Sequence, residues 1–221
     1  MSKAFFRVIL KAKGLLVFLC FIFLTGCAGG TGAPANKTEF QPLSSDSTSF
    51  YYYVSENRVP LTLSTEWIAV KFANEDPSAQ ASALKGSIVD SNGQAEQLTR
   101  YGVTLLPVQA GTTFETLVAG INALRSDSTF FQVNPVFQSG DTGMIVTDEF
   151  IVTFPAGMSM DEINAVNASY GVEVGDPILG QENTFVLRAT TATKMDTLSL
   201  ANLYQESGVA MFAAPNFVRV R

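Results

Sequence analysis

The chain has 221 residues, 47% of them hydrophobic, with 14 basic and 20 acidic side chains and no histidine. Its length supports one substantial hydrophobic core or two small ones. The acidic balance argues against nucleic acid and anionic lipid as partners, because both would be repelled. Without histidine, no Ser-His-Asp triad is possible in any chain order, and no cysteine–histidine metal pattern can be built.

Lys3, Arg7, Lys11 and Lys13 form a positive start, followed by an apolar run from Gly14 to Leu24. The run is too short for a bilayer-spanning helix, which needs about 20 residues, and with its basic flank it reads as a signal peptide. It closes on Leu24-Thr25-Gly26-Cys27, the pattern of a bacterial lipobox. Small residues before Cys27 suit a lipoprotein signal peptidase, and the Cys27 thiol would carry a diacylglycerol. Residues 1–26 are therefore expected to be removed, leaving a lipid-anchored protein of the bacterial cell envelope. In a cell with two membranes the outer one is expected, since Ala28 supplies no retention signal of the aspartate kind. Cleavage takes away four basic residues and no acidic one, so the mature charge becomes −10. Membrane attachment must then come from acyl chains alone. Cys20 leaves with the signal and Cys27 is acylated, so no thiol remains for a disulfide, a metal or a nucleophile. No cofactor is expected.

Residues 27–49 are rich in Gly, Ala, Pro, Ser and Thr without a hydrophobic period, as a flexible tether would be. Phe50 to Val54 and Val59 to Leu63 are β-type runs around Ser55-Glu56-Asn57-Arg58, which predicts a hairpin with Pro60 on an edge or at a strand start. Trp67 to Phe72 is a strand. Ser78 to Val89 is weakly helical, Gln94 to Thr99 is a poorly marked strand, and Gly102 to Val108 a clear one. Thr113 is an N-cap for a helix whose Phe114, Leu117, Ile121 and Leu124 share a face. Phe130 to Phe137 closes the segment as a strand. Gln138 to Gly143, polar with two glycines, reads as a linker.

The pattern then repeats. Glu149 to Phe154 is a strand, and Ser159 with Glu162 forms a capping box for a helix that Gly171 ends. Val172 to Val174 and Thr184 to Arg188 are strands. Thr197, Leu200, Ala201 and Tyr204 mark a helix ended by Gly208, and Val209 to Val220 is the last strand. Strand, helix, strand, strand, helix, strand is the ferredoxin-like split βαβ order. Around Pro135 and Pro215 the chain repeats at an offset of 80 residues. The expected architecture is α+β: two tandem ferredoxin-like units, over residues 50–137 (with the hairpin) and 144–221, joined by the linker 138–143. Leu117 and Ile121 are expected in the first core, Tyr204 and Phe217 in the second.

Catalytic pairings fail on geometry. Asp148-Glu149 would point to opposite faces of a strand, and Asp161-Glu162 about 100° apart on a helix. Neither pair converges on one proton. The Phe50–Tyr53 aromatics read as hairpin packing and Trp67 as core.

Tyr51-Tyr52-Tyr53, Val59 to Leu63, Ile68 to Phe72, Ile145 to Val152 and Ala213-Ala214-Pro215-Asn216-Phe217, in this order and spacing, resemble the N-terminal pro-region of fervidolysin-like subtilases. The likeness covers residues 50–221. It implies a domain that assists folding of a subtilisin-like serine protease and then inhibits it, with the sheet packed on the catalytic domain and the C-terminal tail in the cleft. Here the chain is expected to stop where the protease would begin, so the protein itself is expected not to be an enzyme. On this resemblance, Val218, Arg219, Val220 and Arg221 would be the protease-binding tail, added as a β-strand, with Arg221 nearest the catalytic serine and Val218 in an apolar subsite. The alternatives are a frayed terminus, an adhesion or assembly scaffold that reuses the fold, or the remnant of a split protease gene.

Overall fold

In the computed structural model, which describes residues 40–220, a hairpin precedes a long antiparallel sheet carrying four helices. Cys27, the expected signal peptide 1–26, residues 27–39 of the tether expected over 27–49, and Arg221 lie outside the described residues. The hairpin joins β1 (Tyr51–Val54) to β2 (Asn57–Pro60), with Tyr51 opposite Pro60. Its turn is tighter than expected. Ser55 takes the left-handed conformation, φ 56°, and Arg58 is drawn into the second strand.

The first repeat runs β3 (Leu63–Phe72), α1 (Pro77–Leu84), β4 (Glu96–Leu98), β5 (Val103–Pro107), α2 (Phe114–Arg125) and β6 (Phe130–Ser139). Its strands lie in the order β6-β3-β5-β4. The second repeat runs β7 (Thr142–Thr153), α3 (Met160–Ser169), β8 (Val172–Pro177), β9 (Thr184–Ala189), α4 (Thr197–Glu206) and β10 (Phe212–Val220), in the order β10-β7-β9-β8. In both repeats the fourth strand pairs the first, the first pairs the third, and the third pairs the second. This is the ferredoxin-like order, and the α+β reading of two tandem units after a hairpin holds. Even the register repeats: Pro135 faces Ile68 as Pro215 faces Phe150.

Local chemistry explains the helices. Thr113 accepts a hydrogen bond from the Thr116 amide, and α2 then buries Leu117, Val118, Ile121 and Leu124 along one stripe. Ser159 and Glu162 make the reciprocal capping box at the start of α3. Asp196 caps α4 through the Ser199 amide. By contrast α1 buries no residue and is fixed by its Asp76 cap and Pro77 at the first turn. Gly171 ends α3 with φ +68°, and a Cβ there would fall 2.7 Å from the Ala192 backbone, so this helix stop requires glycine.

The expected linker is not one. Gln138 and Ser139 belong to β6, Thr142 and Gly143 belong to β7, and Gln138 pairs with Gly143 in a hairpin that makes the two sheets continuous. Gly140 turns the chain with φ +62°. Gly143 lets β10 close in, since a Cβ would lie 2.7 Å from the Val220 side chain. Residues 40–220 fall within one compact unit.

Three clusters fill it. One lies under α2 and takes in Phe50, Leu61 and Leu63 from the hairpin region together with Val146 and Leu198 from the second repeat. A second surrounds Tyr204, Phe150, Phe154, Ile163 and Leu200. The third gathers Ala69, Val103, Leu105, Val136, Ile145 and Val220. Phe217 departs from expectation: it is half-buried, and it packs on the first cluster and on Tyr52 at 5.1 Å rather than in the second core.

Candidate functional site

Val218, Arg219 and Val220 do not hang free. They form the end of β10, opposite Ile145, Met144 and Gly143 of β7, and Val220 is buried. Val218 and Val220 alternate with exposed Arg219, so the valines feed the third cluster while Arg219 faces solvent. The expected tail is therefore a structural strand up to residue 220. The outer edge of β10 is also guarded against a further strand. Pro215 has no amide to donate, and the Ala213 amide is taken by Gln205 Oε1 at 2.9 Å.

The two sheets differ on the face away from their helices. In the first repeat, the alternate residues Ala69, Val103 and Leu105 are covered because Ile145, Val218 and Val220 pack with them. In the second repeat, no described residue from the three clusters covers that face. Ala214, Ile151 and Val186 line up across β10, β7 and β9, with Phe212 in the next row, and all four are half-exposed and outside the three clusters. Glu149 and Arg188 form the following cross-strand pair, joined by an ion pair at 2.5 Å. That hydrogen bond holds the Arg188 guanidinium above its ordinary pKa.

Where the open face meets the first repeat lies a cleft of about 740 Å³. Lys71 comes from β3, Arg100 and Tyr101 from the 3-10 turn Thr99–Tyr101, Asp148 and Glu149 from β7, Arg188 from β9, and Asn216 to Arg219 from β10. Asp148 binds Lys71 at 2.7 Å, with both side chains largely withdrawn from water. Arg100 lies 5.5 Å from the ring of Tyr101, and Arg219 makes no ion pair among the described residues. Four cations thus face two carboxylates on a protein whose overall charge is negative.

Asp148 and Glu149 do not form an acid–base couple, since each carboxylate is tied to its own cation. Among the described residues, no three of the His, Cys, Asp and Glu side chains converge as metal ligands. The hairpin aromatics have a defined role: Tyr51 and Tyr53 both donate to Glu206 Oε1, at 2.6 and 2.9 Å, and Arg58 joins them at 2.9 Å. Burial and the Glu206 bond push the Tyr51 hydroxyl up to about 12, while the Tyr51 bond holds the Glu206 carboxyl below its usual range. This cluster clamps the hairpin onto α4, helped by Asn202 Nδ2 donating to the Tyr51 carbonyl at 2.8 Å.

The cleft leaves no pattern in the sequence, where Arg219 falls in the expected tail, because its cations come from four separate segments between residues 71 and 219. In comparison with known proteins, no family model matches the chain, no curated protein matches it in sequence, and no solved structure matches it in fold.

Proposed function

We propose that this chain is a protein-binding module of the bacterial envelope, anchored through Cys27, that inhibits or assists the folding of a subtilisin-like serine protease. The observation that carries the binding reading is the open face of the second sheet. Ala214, Ile151, Val186 and Phe212 form a small apolar row, half-exposed and outside the three core clusters of the described residues, edged by charge. An apolar centre with a polar rim is the composition of a recognition surface. The protease reading adds the resemblance to subtilase pro-regions, in which such a sheet packs on the catalytic domain. Because residues 218–220 are held in β10, the sheet face rather than a free tail carries the contact. A broader reading, an envelope adhesion or assembly scaffold, uses the same face with a partner that is not a protease.

The test is inhibition of a co-encoded or co-purifying subtilisin-like protease by the purified protein, comparing the natural chain with Ile151→Asp and Val186→Asp. Both substitutions place a charge on the open face, and binding is expected to weaken by tenfold or more, since roughly 1.4 kcal/mol is lost for each tenfold. A protein that binds no serine protease leaves the scaffold reading in its place. In the anchor arm, Cys27→Ser is expected to move the protein out of the detergent phase, and unchanged partitioning would defeat the lipid assignment.

A further inference from the structure

The cleft beside the open face carries chemistry that an apolar contact does not need. Its two carboxylates are spent within the protein, Asp148 on Lys71 and Glu149 on Arg188. That leaves Arg100 and Arg219, both exposed, lining the same cleft from different strands and turns without an ion-pair partner among the described residues. Arg219 is fixed by the pairing of β10 with β7, and Arg100 by the 3-10 turn that Gly102 closes with φ +62°. Surfaces of an acidic protein repel anions in general, so a locally cationic cleft is a selective feature against that background.

We propose that this cleft receives an acidic peptide segment of a partner protein, two of whose carboxylates pair with Arg100 and Arg219. The mixed lining favours a peptide over a compact ion. A single small anion placed between the arginines would also face Asp148 and Glu149, whereas a peptide can set carboxylates against the guanidiniums and turn its amide N–H groups toward the acidic side chains and the Asn216 amide. The cleft is also long enough to involve the turn at Arg100, the β3 cation Lys71 and the end of β10 together. Planar guanidiniums are suited to bidentate pairing with carboxylates. The partner that fits this cleft carries clustered Asp or Glu residues. That partner need not be a protease.

The experiment uses the full chain in detergent and a fluorescein-labelled hexaglutamate peptide, with hexalysine, free glutamate and inorganic phosphate as comparison probes. Hexaglutamate should bind in low salt, lose affinity as salt rises, and bind more tightly than any of the other three. The Arg100→Glu/Arg219→Glu double variant should weaken it roughly tenfold or more, two exposed ion pairs having been replaced by repulsion. Lys85→Glu, an equal change at an exposed site outside the cleft, should weaken it far less per charge. Circular dichroism shows whether each variant is folded, and Arg100→Ala/Arg219→Ala serves if the reversal disturbs the sheet. Equal binding of hexalysine overturns the proposal. So does an equal loss in Lys85→Glu, which would mean only bulk charge is sensed. Phosphate or glutamate binding as tightly as the peptide would overturn the peptide occupant in favour of a small anion. Failure of the natural protein to bind hexaglutamate, while it still inhibits the protease, refutes the cleft and leaves the open-face reading standing.

Discussion

Replacing Arg125 with methionine should be the most damaging single change at the joint between the two repeats. Arg125 ends α2, and its guanidinium is spread over both repeats. Nε donates to the Val133 carbonyl at 2.7 Å, and Nη2 donates to Asn134 Oδ1 at 3.0 Å and to Asp196 Oδ2 at 3.3 Å. Nη1 reaches the Gln41 carbonyl at 3.3 Å. The side chains of Arg125 and Asp196 are only 4% and 9% exposed, so the pair is desolvated. Burial pulls the guanidinium below its ordinary pKa, and the Asp196 charge opposes that shift. Removing one partner of such a pair leaves a lone buried charge, which costs about 3–5 kcal/mol, whereas removing both charges together costs much less. Asp196→Asn keeps an oxygen for the Ser199 amide, so the α4 cap survives it. Arg125→Met alone is therefore expected to cost about 3–5 kcal/mol, and Arg125→Met/Asp196→Asn about 1–2 kcal/mol, a rescue by the second substitution. Urea unfolding followed by fluorescence of Trp67, the single tryptophan, measures both. A loss below about 1 kcal/mol in the single variant, or a double variant that is the sum of its parts, would refute the buried pair as the joint.

Limited proteolysis should spare residues 138–143, whose ends are paired strands, and should cut first near Leu179, which is 94% exposed in the β8–β9 turn. Sequencing the first fragments decides this, and early cleavage at Gly140 would restore a linker. The hairpin clamp should weaken in alkali. Tyr51 holds its proton more tightly folded than unfolded, so its contribution is complete below about pH 10 and is lost as pH rises through about 12. Tyr51→Phe should thus be less stable than the natural protein at pH 8, with the gap closing toward pH 12. Glu206 works in the opposite sense: its pKa is depressed, so its contribution is present above the ordinary carboxylate range and fades as pH falls through the folded value. A gap that does not vary with pH would show that the hydroxyl bonds contribute nothing.

Much of the architecture could be read from residue patterns because helix faces and caps are local. The α2 stripe, the Ser159–Glu162 box and the stop at Gly171 each depend on residues within a turn or two of one another. The repeated Pro135 and Pro215 sit at matching positions of β6 and β10 for the same reason. What could not be read depends on distant partners. Gly140 and Gly143 look like linker glycines, and the use of Gly143 becomes apparent only when Val220 is brought against it. β4 is three residues long, with Glu96 and Gln97 exposed, so no hydrophobic period marks it. Phe217 carries the same apolar signal wherever it packs, and the bulge between Pro215 and Phe217 shifts the register of β10 beyond it. The cleft joins Lys71, Arg100, Arg188 and Arg219, none of which has a charged neighbour in sequence that would single it out.

The end of β10 decides how an experiment on the C-terminal residues must be interpreted. The subtilase resemblance assigns Val218 to Arg221 to a protease cleft, and deletion of these residues is the natural test of that assignment. In the structure the same deletion removes buried Val220 and half-buried Val218 from the cluster with Ala69, Val103 and Leu105, and uncovers Gly143 to Ile145 on β7. At about 25 cal/mol per Å² of apolar surface, losing one buried and one half-buried valine should cost about 2–4 kcal/mol. Weaker inhibition after the deletion would then follow from a damaged sheet, whether or not the tail ever touches the protease. Arg219→Ala separates the two causes, because Arg219 is exposed and has no ion-pair partner among the described residues. Such a surface change is worth within about 0.5 kcal/mol of stability. The expected outcome is a lowered urea midpoint for the deletion and an unchanged one for Arg219→Ala. If the deletion leaves the midpoint where it was, residues 218–220 are not structural. The free-tail mechanism then regains its standing over the sheet face.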